Sequence, residues 1–158
     1  MVKIVATNRK VFHDYEIVEK FEAGMALLGR EVKSLRAGRM SLKGGWVSIR
    51  GAGGRNSEVW LENVNIPDYP QSATKTPYEP QRPRKLLLKK SEISRLIGKI
   101  AQKNFTLVPL ECYFNNKGLA KVEIALVKGK REYDRREEKK KKDIEREMRR
   151  GFGGKFRI

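Results

Sequence analysis

The chain has very few of the residues with which most enzymes do chemistry. Its 158 residues include one cysteine, Cys112, and one histidine, His13. A lone cysteine excludes an intramolecular disulfide and fits a reducing cytosol. The same scarcity excludes metal sites built from several His and Cys ligands. A Cys–His pair is formally available, but Cys112 falls in the strand-like series Val108, Leu110, Cys112, Phe114, which marks it as core filler. Carboxylates are plentiful, so a metal-dependent RNA nuclease is not excluded on ligand supply. No Asp/Glu cluster with metal-site spacing stands outside the charge-paired C-terminal tail, however, and a non-enzymatic binder without a cofactor is the expectation.

Long apolar runs are also missing. Ile124-Ala125-Leu126-Val127 is among the longest, far short of the roughly 20 residues a membrane span needs. Met1–Ala6 is too short to supply a secretory signal core. A soluble cytoplasmic protein with no membrane partner is expected.

What the chain does have is positive charge. The formal net charge is +17, with a sequence pI near 10.2. Residues 128–158 hold fourteen Lys/Arg against seven Asp/Glu, and the remaining +10 lies on residues 1–127. A basic body joined to a basic tail is the electrostatic footprint of a nucleic-acid binder. From Lys128 to Arg150 only Tyr133, Ile144 and Met148 are large and apolar, so the tail cannot offset the entropy of ordering itself. Its charges are nevertheless arranged. Glu132, Glu137, Glu138 and Glu145 each precede a base by four residues (Arg136, Lys141, Lys142, Arg149). That is the favourable helical order, worth about 0.2–0.5 kcal/mol per pair. The pattern predicts a helix that forms on a polyanion.

The body reads as strands with a few helices. Tyr15–Leu28 begins extended and is expected to turn at Gly24. Gly29 and Gly38 bracket a short helix over Arg30–Ala37, with Val32 and Leu35 on one side, Glu31, Lys33 and Arg36 largely toward water, and Gly38 as its stop. Trp46–Arg50 and Val59–Ile66 are expected strands flanking the turn-rich Gly51–Asn56 loop. Pro67–Pro83, with five prolines, is a long loop. Ser91–Lys103 has helical periodicity through Ile93, Leu96, Ile97 and Ile100, with Ser91 as the expected N-cap. Thr106–Phe114 and Ala120–Val127 form a hairpin, in which Val122, Ile124 and Leu126 point inward and Lys121 and Glu123 outward. Five or more strands and two helices without β-α-β alternation predict a mainly β fold, an OB-like antiparallel barrel with external helices. The expected division is an RNA-binding barrel over 1–127 and a tail over 128–158.

Four stretches carry a resemblance: Asn8-Arg9-Lys10; Phe21-Glu22-Ala23-Gly24 running on to Gly29–Gly38 (GREVKSLRAG); Arg82-Pro83-Arg84-Lys85-Leu86-Leu87-Leu88; and Lys128–Arg136 (KGKREYDRR). In order and spacing they resemble the SsrA-binding protein family, small protein B of bacteria. The resemblance implies an OB-like barrel that binds the tRNA-like domain of transfer-messenger RNA (tmRNA) around its elbow and D-loop. It also implies a tail, disordered when free, that becomes helical in the empty decoding centre and mRNA channel of a stalled ribosome. Elongation factor Tu and alanyl-tRNA synthetase are implied indirect partners, and a monomer is expected.

Carried onto this sequence, the implied RNA-binding residues are Asn8, Arg9, Lys10, Glu22, Lys33, Arg36, Arg84, Lys85, Leu87 and Lys121. The implied ribosome-binding residues are Lys128, Gly129, Lys130, Arg131, Tyr133, Asp134, Arg135 and Arg136. Glu22 is the odd member, because phosphate repels a carboxylate unless it accepts from a base or holds a neighbouring group. Leu87, on position alone, reads as core. The Gly51–Asn56 loop and the Gly151–Ile158 end depart from the family pattern. Competing readings are a permanent OB-fold ribosomal protein and a metal-dependent RNA nuclease.

Overall fold

The computed structural model describes residues 2–51, 56–70, 77–102 and 104–129, together with Ile144 and Arg146. In chain order the elements are β1 (Lys3–Thr7), α1 (Arg9–Asp14), β2 (Tyr15–Met25), α2 (Gly29–Arg36), β3 (Trp46–Arg50), β4 (Glu58–Glu62), β5 (Arg84–Leu87), α3 (Lys90–Ile100), β6 (Phe105–Phe114) and β7 (Ala120–Gly129). The strands form one sheet in the order β1-β6-β7-β2-β5-β4-β3. The pairings β1–β6, β2–β5, β3–β4, β4–β5 and β6–β7 are all antiparallel. At the far end of that order β3 comes back against β6. Ile97 and Ile100 of α3 lie over the seam between Val47 and Ile49 of β3 and Phe105 and Leu107 of β6. The sheet thus curls into the OB-like antiparallel barrel that the sequence predicts. Residues 1–128 form one compact unit.

Inside the barrel, Phe21, Ala23 and Met25 of β2 meet Val59 and Leu61 of β4, Leu86 of β5, Cys112 and Phe114 of β6, and Val122, Ile124 and Leu126 of β7, with Leu35 of α2 and Leu96 of α3 joining them. A fully buried leucine or isoleucine here contributes about 1.5–3 kcal/mol relative to exposure. A second, smaller cluster lies on the other side of the hairpin, where Val11 of α1 covers Val108, Leu110, Ala125 and Val127.

Several local expectations need correction. Gly24 does not turn the chain, and β2 continues through it to Met25. Val108 and Leu110 do not share a face with Cys112 and Phe114. The register slips between Pro109 and Glu111, and the extra residue moves the first pair into the α1 cluster. Proline cannot donate to a ladder, and a bulge is where a strand accommodates it. The outer face of the hairpin is therefore dry toward its Val127 end. The β4 strand stops at Glu62, because Asn63 takes a left-handed φ of 58°. The helix α3 starts at Lys90 rather than at Ser91, and the Glu92 carboxylate accepts from the Lys89 amide at 3.1 Å. The stop at Gly38 is observed, with φ of 75°.

Candidate nucleic-acid interface

Alternation along β5 decides most of the site. Arg84 and Leu86 point into the barrel, while Lys85 and Leu87 point out. Leu87 stands directly across the ladder from Gly24 of β2. Glu22 lies two residues earlier on that strand, on the same outer face. The Lys121 ammonium, from β7, lies over Gly24, 3.6 Å from where a Cβ on that glycine would sit. Across the next ladder Lys121 is paired with Tyr113 of β6, whose hydroxyl donates to the Glu22 carboxylate. The fold thus brings Glu22, Leu87 and Lys121 onto one patch that spans four strands, with a flat floor because Gly24 has no side chain. Leu87 is 54% exposed there, which makes it a surface residue and not part of the core. Lys85 borders the patch and is partly neutralised by Glu58 at 3.4 Å.

The other basic residues lie on helices. Arg9 and Lys10 are exposed on the first turn of α1, and Lys33 and Arg36 are exposed on α2. Lys33 stacks over the Tyr69 ring at 5.9 Å. Among the described residues Arg9, Lys10, Arg36 and Lys121 enter no ion pair. Their field is left for an external anion.

Two residues take other roles. Asn8 is only 8% exposed. Its backbone amide donates to Leu110 O at 2.7 Å and its side-chain amide to Pro109 O at 3.1 Å. It pins the start of α1 to the bulge of β6, which positions Arg9 and Lys10. Arg84 is a correction, since it is fully buried and cannot reach RNA. Its Nε and one terminal nitrogen donate to Glu31 Oε2 at 2.8 and 2.6 Å. Further bonds run to Val64 O at 2.7 Å and Pro80 O at 2.9 Å. Glu31, expected in water, is fully buried as well. It also accepts from Arg82 and from the Leu28 amide. Around this clamp the Tyr78 hydroxyl donates to Ile66 O at 2.6 Å. Arg30 stacks on the Tyr78 ring and forms a two-point pair with Asp68 at 2.9 and 2.6 Å.

Neither the Glu31 clamp nor Tyr113 was singled out from the sequence. Tyr113 was within reach, because it alternates with Cys112 and faces Lys121 across the hairpin. The clamp was not, because its members are up to 53 residues apart and charge on a short helix ordinarily reads as a solvated face.

Lys128 is half-exposed near the end of β7, paired with Phe105, and Gly129 is the last residue of that strand. Lys130, Arg131, Tyr133, Asp134, Arg135 and Arg136 lie outside the described residues, as do residues 52–55 and the Gly151–Ile158 end. Ile144 and Arg146 are helical and exposed.

The residues considered for catalysis are not assembled. Cys112 is fully buried, and burial pushes its thiol up to about 12. His13 is exposed beside Asp14. Among the described residues no three His, Cys, Asp or Glu side chains converge as a metal site would require, and no helix is long and apolar enough to cross a membrane.

Comparison with known proteins converges on one family. The SmpB protein family model matches residues 5–153. An SsrA-binding protein of Sulfurihydrogenibium sp. is 51% identical over 156 residues, covering 99% of this chain and 98% of the relative. One of Salinispora arenicola is 53% identical over 151 residues, with 96% and 91% covered. A solved structure described as "tmRNA-SmpB: a journey to the center of the bacterial ribosome" superposes with a TM-score of 0.63 at 46% identity, covering 87% of this chain and 92% of that one. With the barrel, the outward basic residues and these matches along nearly the whole chain, this protein belongs to the SmpB family.

Proposed function

We propose that this chain binds the tRNA-like domain of tmRNA and delivers it to stalled ribosomes for trans-translation, acting as a binding protein. The observation that carries the reading is the patch of Glu22, Leu87 and Lys121, with the exposed Arg9, Lys10 and Arg36 elsewhere on the body, in a chain similar over most of its length to a protein whose solved structure is described as tmRNA-SmpB. Basic side chains supply sequence-independent affinity for phosphate, while Leu87 and Glu22 address bases. Lys33 contributes a further cation, and Lys85 a weaker one because of Glu58. Asn8 and Arg84 act indirectly, by holding α1 and β5 in place.

The tail, residues 128–158, takes the second half of the task. Lys128, Lys130, Arg131, Arg135 and Arg136 suit ribosomal RNA phosphates, and Tyr133 is placed to stack on an exposed base of the decoding centre. Gly129 lets the chain leave the sheet, and Asp134 belongs to the same tail signature. Elongation factor Tu and alanyl-tRNA synthetase act on the RNA it carries, the protein itself is monomeric, and the compartment is the cytoplasm.

Copurification tests the reading: the protein drawn from its own cells should carry a stable RNA with an alanine-tRNA-like end. A ribosomal subunit that keeps the protein after high-salt washing, without that RNA, would overturn it. Affinity for the isolated tRNA-like RNA should fall with salt by about 0.7–0.9 log units per log unit of salt for each phosphate neutralised. Replacing Lys121, Arg9 or Arg36 with alanine should each lower that slope by about one such increment, as read from filter-binding titrations between 50 and 300 mM salt (a range of about six-fold chosen to expose the slope).

A further inference from the structure

Glu22 is a carboxylate on a surface that must approach phosphates, and it forms no ion pair among the described residues. Its partner is the Tyr113 hydroxyl. Burial, and then the Glu22 carboxylate itself, push that hydroxyl upward from its ordinary value. It therefore stays protonated and donates. The bond holds Oε2 and so fixes the carboxylate on the outer face of the sheet. Beside it the Lys121 ammonium lies over the bare backbone of Gly24, and Leu87 forms an apolar platform across the ladder. We propose that Tyr113 is a positioning residue which sets Glu22, together with Lys121 and Leu87, to read the Watson–Crick edge of an unpaired guanine in a loop of the bound RNA. The inference rests on the RNA-binding reading above and names the base that the patch selects.

The choice among bases follows from the order of charges on the patch, an acceptor beside a cation. Guanine offers two adjacent donors, N1–H and the N2 amino group, next to the O6 acceptor. The carboxylate meets the donors and the ammonium meets O6. Adenine and cytosine each offer one amino group beside a ring nitrogen that would face the carboxylate lone pair to lone pair. Uracil offers a single N–H between two carbonyls. Discrimination thus comes from repulsion as well as attraction. Inside a duplex the same edge is already paired, so the site can read only a base that is out of the stack, the usual target of sequence recognition in RNA. Leu87 then meets one face of the base, which the missing side chain at Gly24 leaves room for.

A well-made base contact of this kind is worth about 5- to 150-fold in affinity. The test uses the full-length protein and a chemically synthesised tRNA-like RNA in which each unpaired guanine is replaced in turn by inosine, which lacks only the N2 amino group. At one position inosine should weaken wild-type binding at least about 5-fold and leave Glu22→Gln unaffected. Tyr113→Phe should melt like wild type, bind the guanine RNA several-fold more weakly, and add nothing to Glu22→Gln in the double variant. The inference is overturned if no inosine changes wild-type affinity, if Tyr113→Phe binds as wild type does, or if its loss adds in full to that of Glu22→Gln. A wild-type protein that fails to bind the guanine RNA would instead overturn the RNA-binding reading beneath it.

Discussion

Glu31→Ala is expected to destabilise the barrel by about 3–5 kcal/mol, the cost of leaving a buried charge without its partner. Among the described residues Glu31 is the one carboxylate that pairs with the fully buried Arg84, and it also holds Arg82 and the Leu28 amide at the start of α2. Without it Arg84 keeps carbonyl and hydroxyl partners but no counter-charge. Domains of this size are stable by about 5–15 kcal/mol in total, so the variant should melt at least roughly 10 °C lower. Arg30→Ala, which breaks a pair with the exposed Asp68, should cost far less, because solvent screens that pair. Thermal melts of the two variants decide the matter, and equal losses would show that the clamp is not what joins α2 to β5.

The same clamp gives stability an acid limb. Burial acts to raise the Glu31 pKa, but the Leu28 amide, Arg82 and Arg84 together hold it below the usual carboxylate range. A carboxyl whose folded pKa lies below its unfolded value of about 4.3 stabilises the fold fully above that unfolded value. The contribution fades as pH falls toward the folded pKa. Denaturant midpoints of the wild type should therefore drop steeply below about pH 4, and Glu31→Gln should flatten that limb while lowering the midpoint at pH 7. The half-buried Glu58 and Glu62 and the exposed Asp68 are shifted the same way and leave a shallower residual slope.

The second large effect is functional. Removing residues 130–158 should leave affinity for the isolated tRNA-like RNA within a few-fold and abolish tagging of stalled chains on ribosomes. The body keeps the patch and its own core, since unit 1–128 is compact by itself. The tail carries about seven of the seventeen net charges. Reading both quantities on one truncated protein separates the tasks. If tagging survives, the ribosomal role assigned to Tyr133 and its basic neighbours is wrong. If RNA affinity collapses, the barrel is not the module that selects the RNA.

The sequence displayed the barrel largely because its hairpin and α3 have clean periods. Val122, Ile124 and Leu126 alternate, and Ile93, Leu96, Ile97 and Ile100 repeat at helical spacing, so local pattern and tertiary burial agree. It hid β5 because four residues between a proline-rich loop and a helix carry too short a period to count. The same brevity disguised Arg84, which sits next to Lys85 in a run of like residues but on the opposite face. Lys121 was legible as outward by alternation alone. Leu87 was legible only by resemblance, since nothing in RKLLL says which leucine is exposed. Pro109 concealed its own effect, because a bulge resets the alternation used to read the strand around it.

The four residues of β5 hold the Glu31 clamp on one face and the Leu87 platform on the other. Substitutions there can be graded, since each side chain has one neighbour set to lose. Insertions and deletions cannot. Dropping Lys85 while Leu86 and Leu87 keep their register would carry Arg84 to the outward position of Lys85, away from the Glu31 carboxylate, and set Pro83 in its place. The buried clamp would then fail as a whole, whereas a substitution removes only one of its partners. Length variation should therefore be tolerated far better in the turn between β3 and β4 than anywhere from Arg82 to Leu88, and a library of single-codon deletions scanned across the gene would show that boundary as a step.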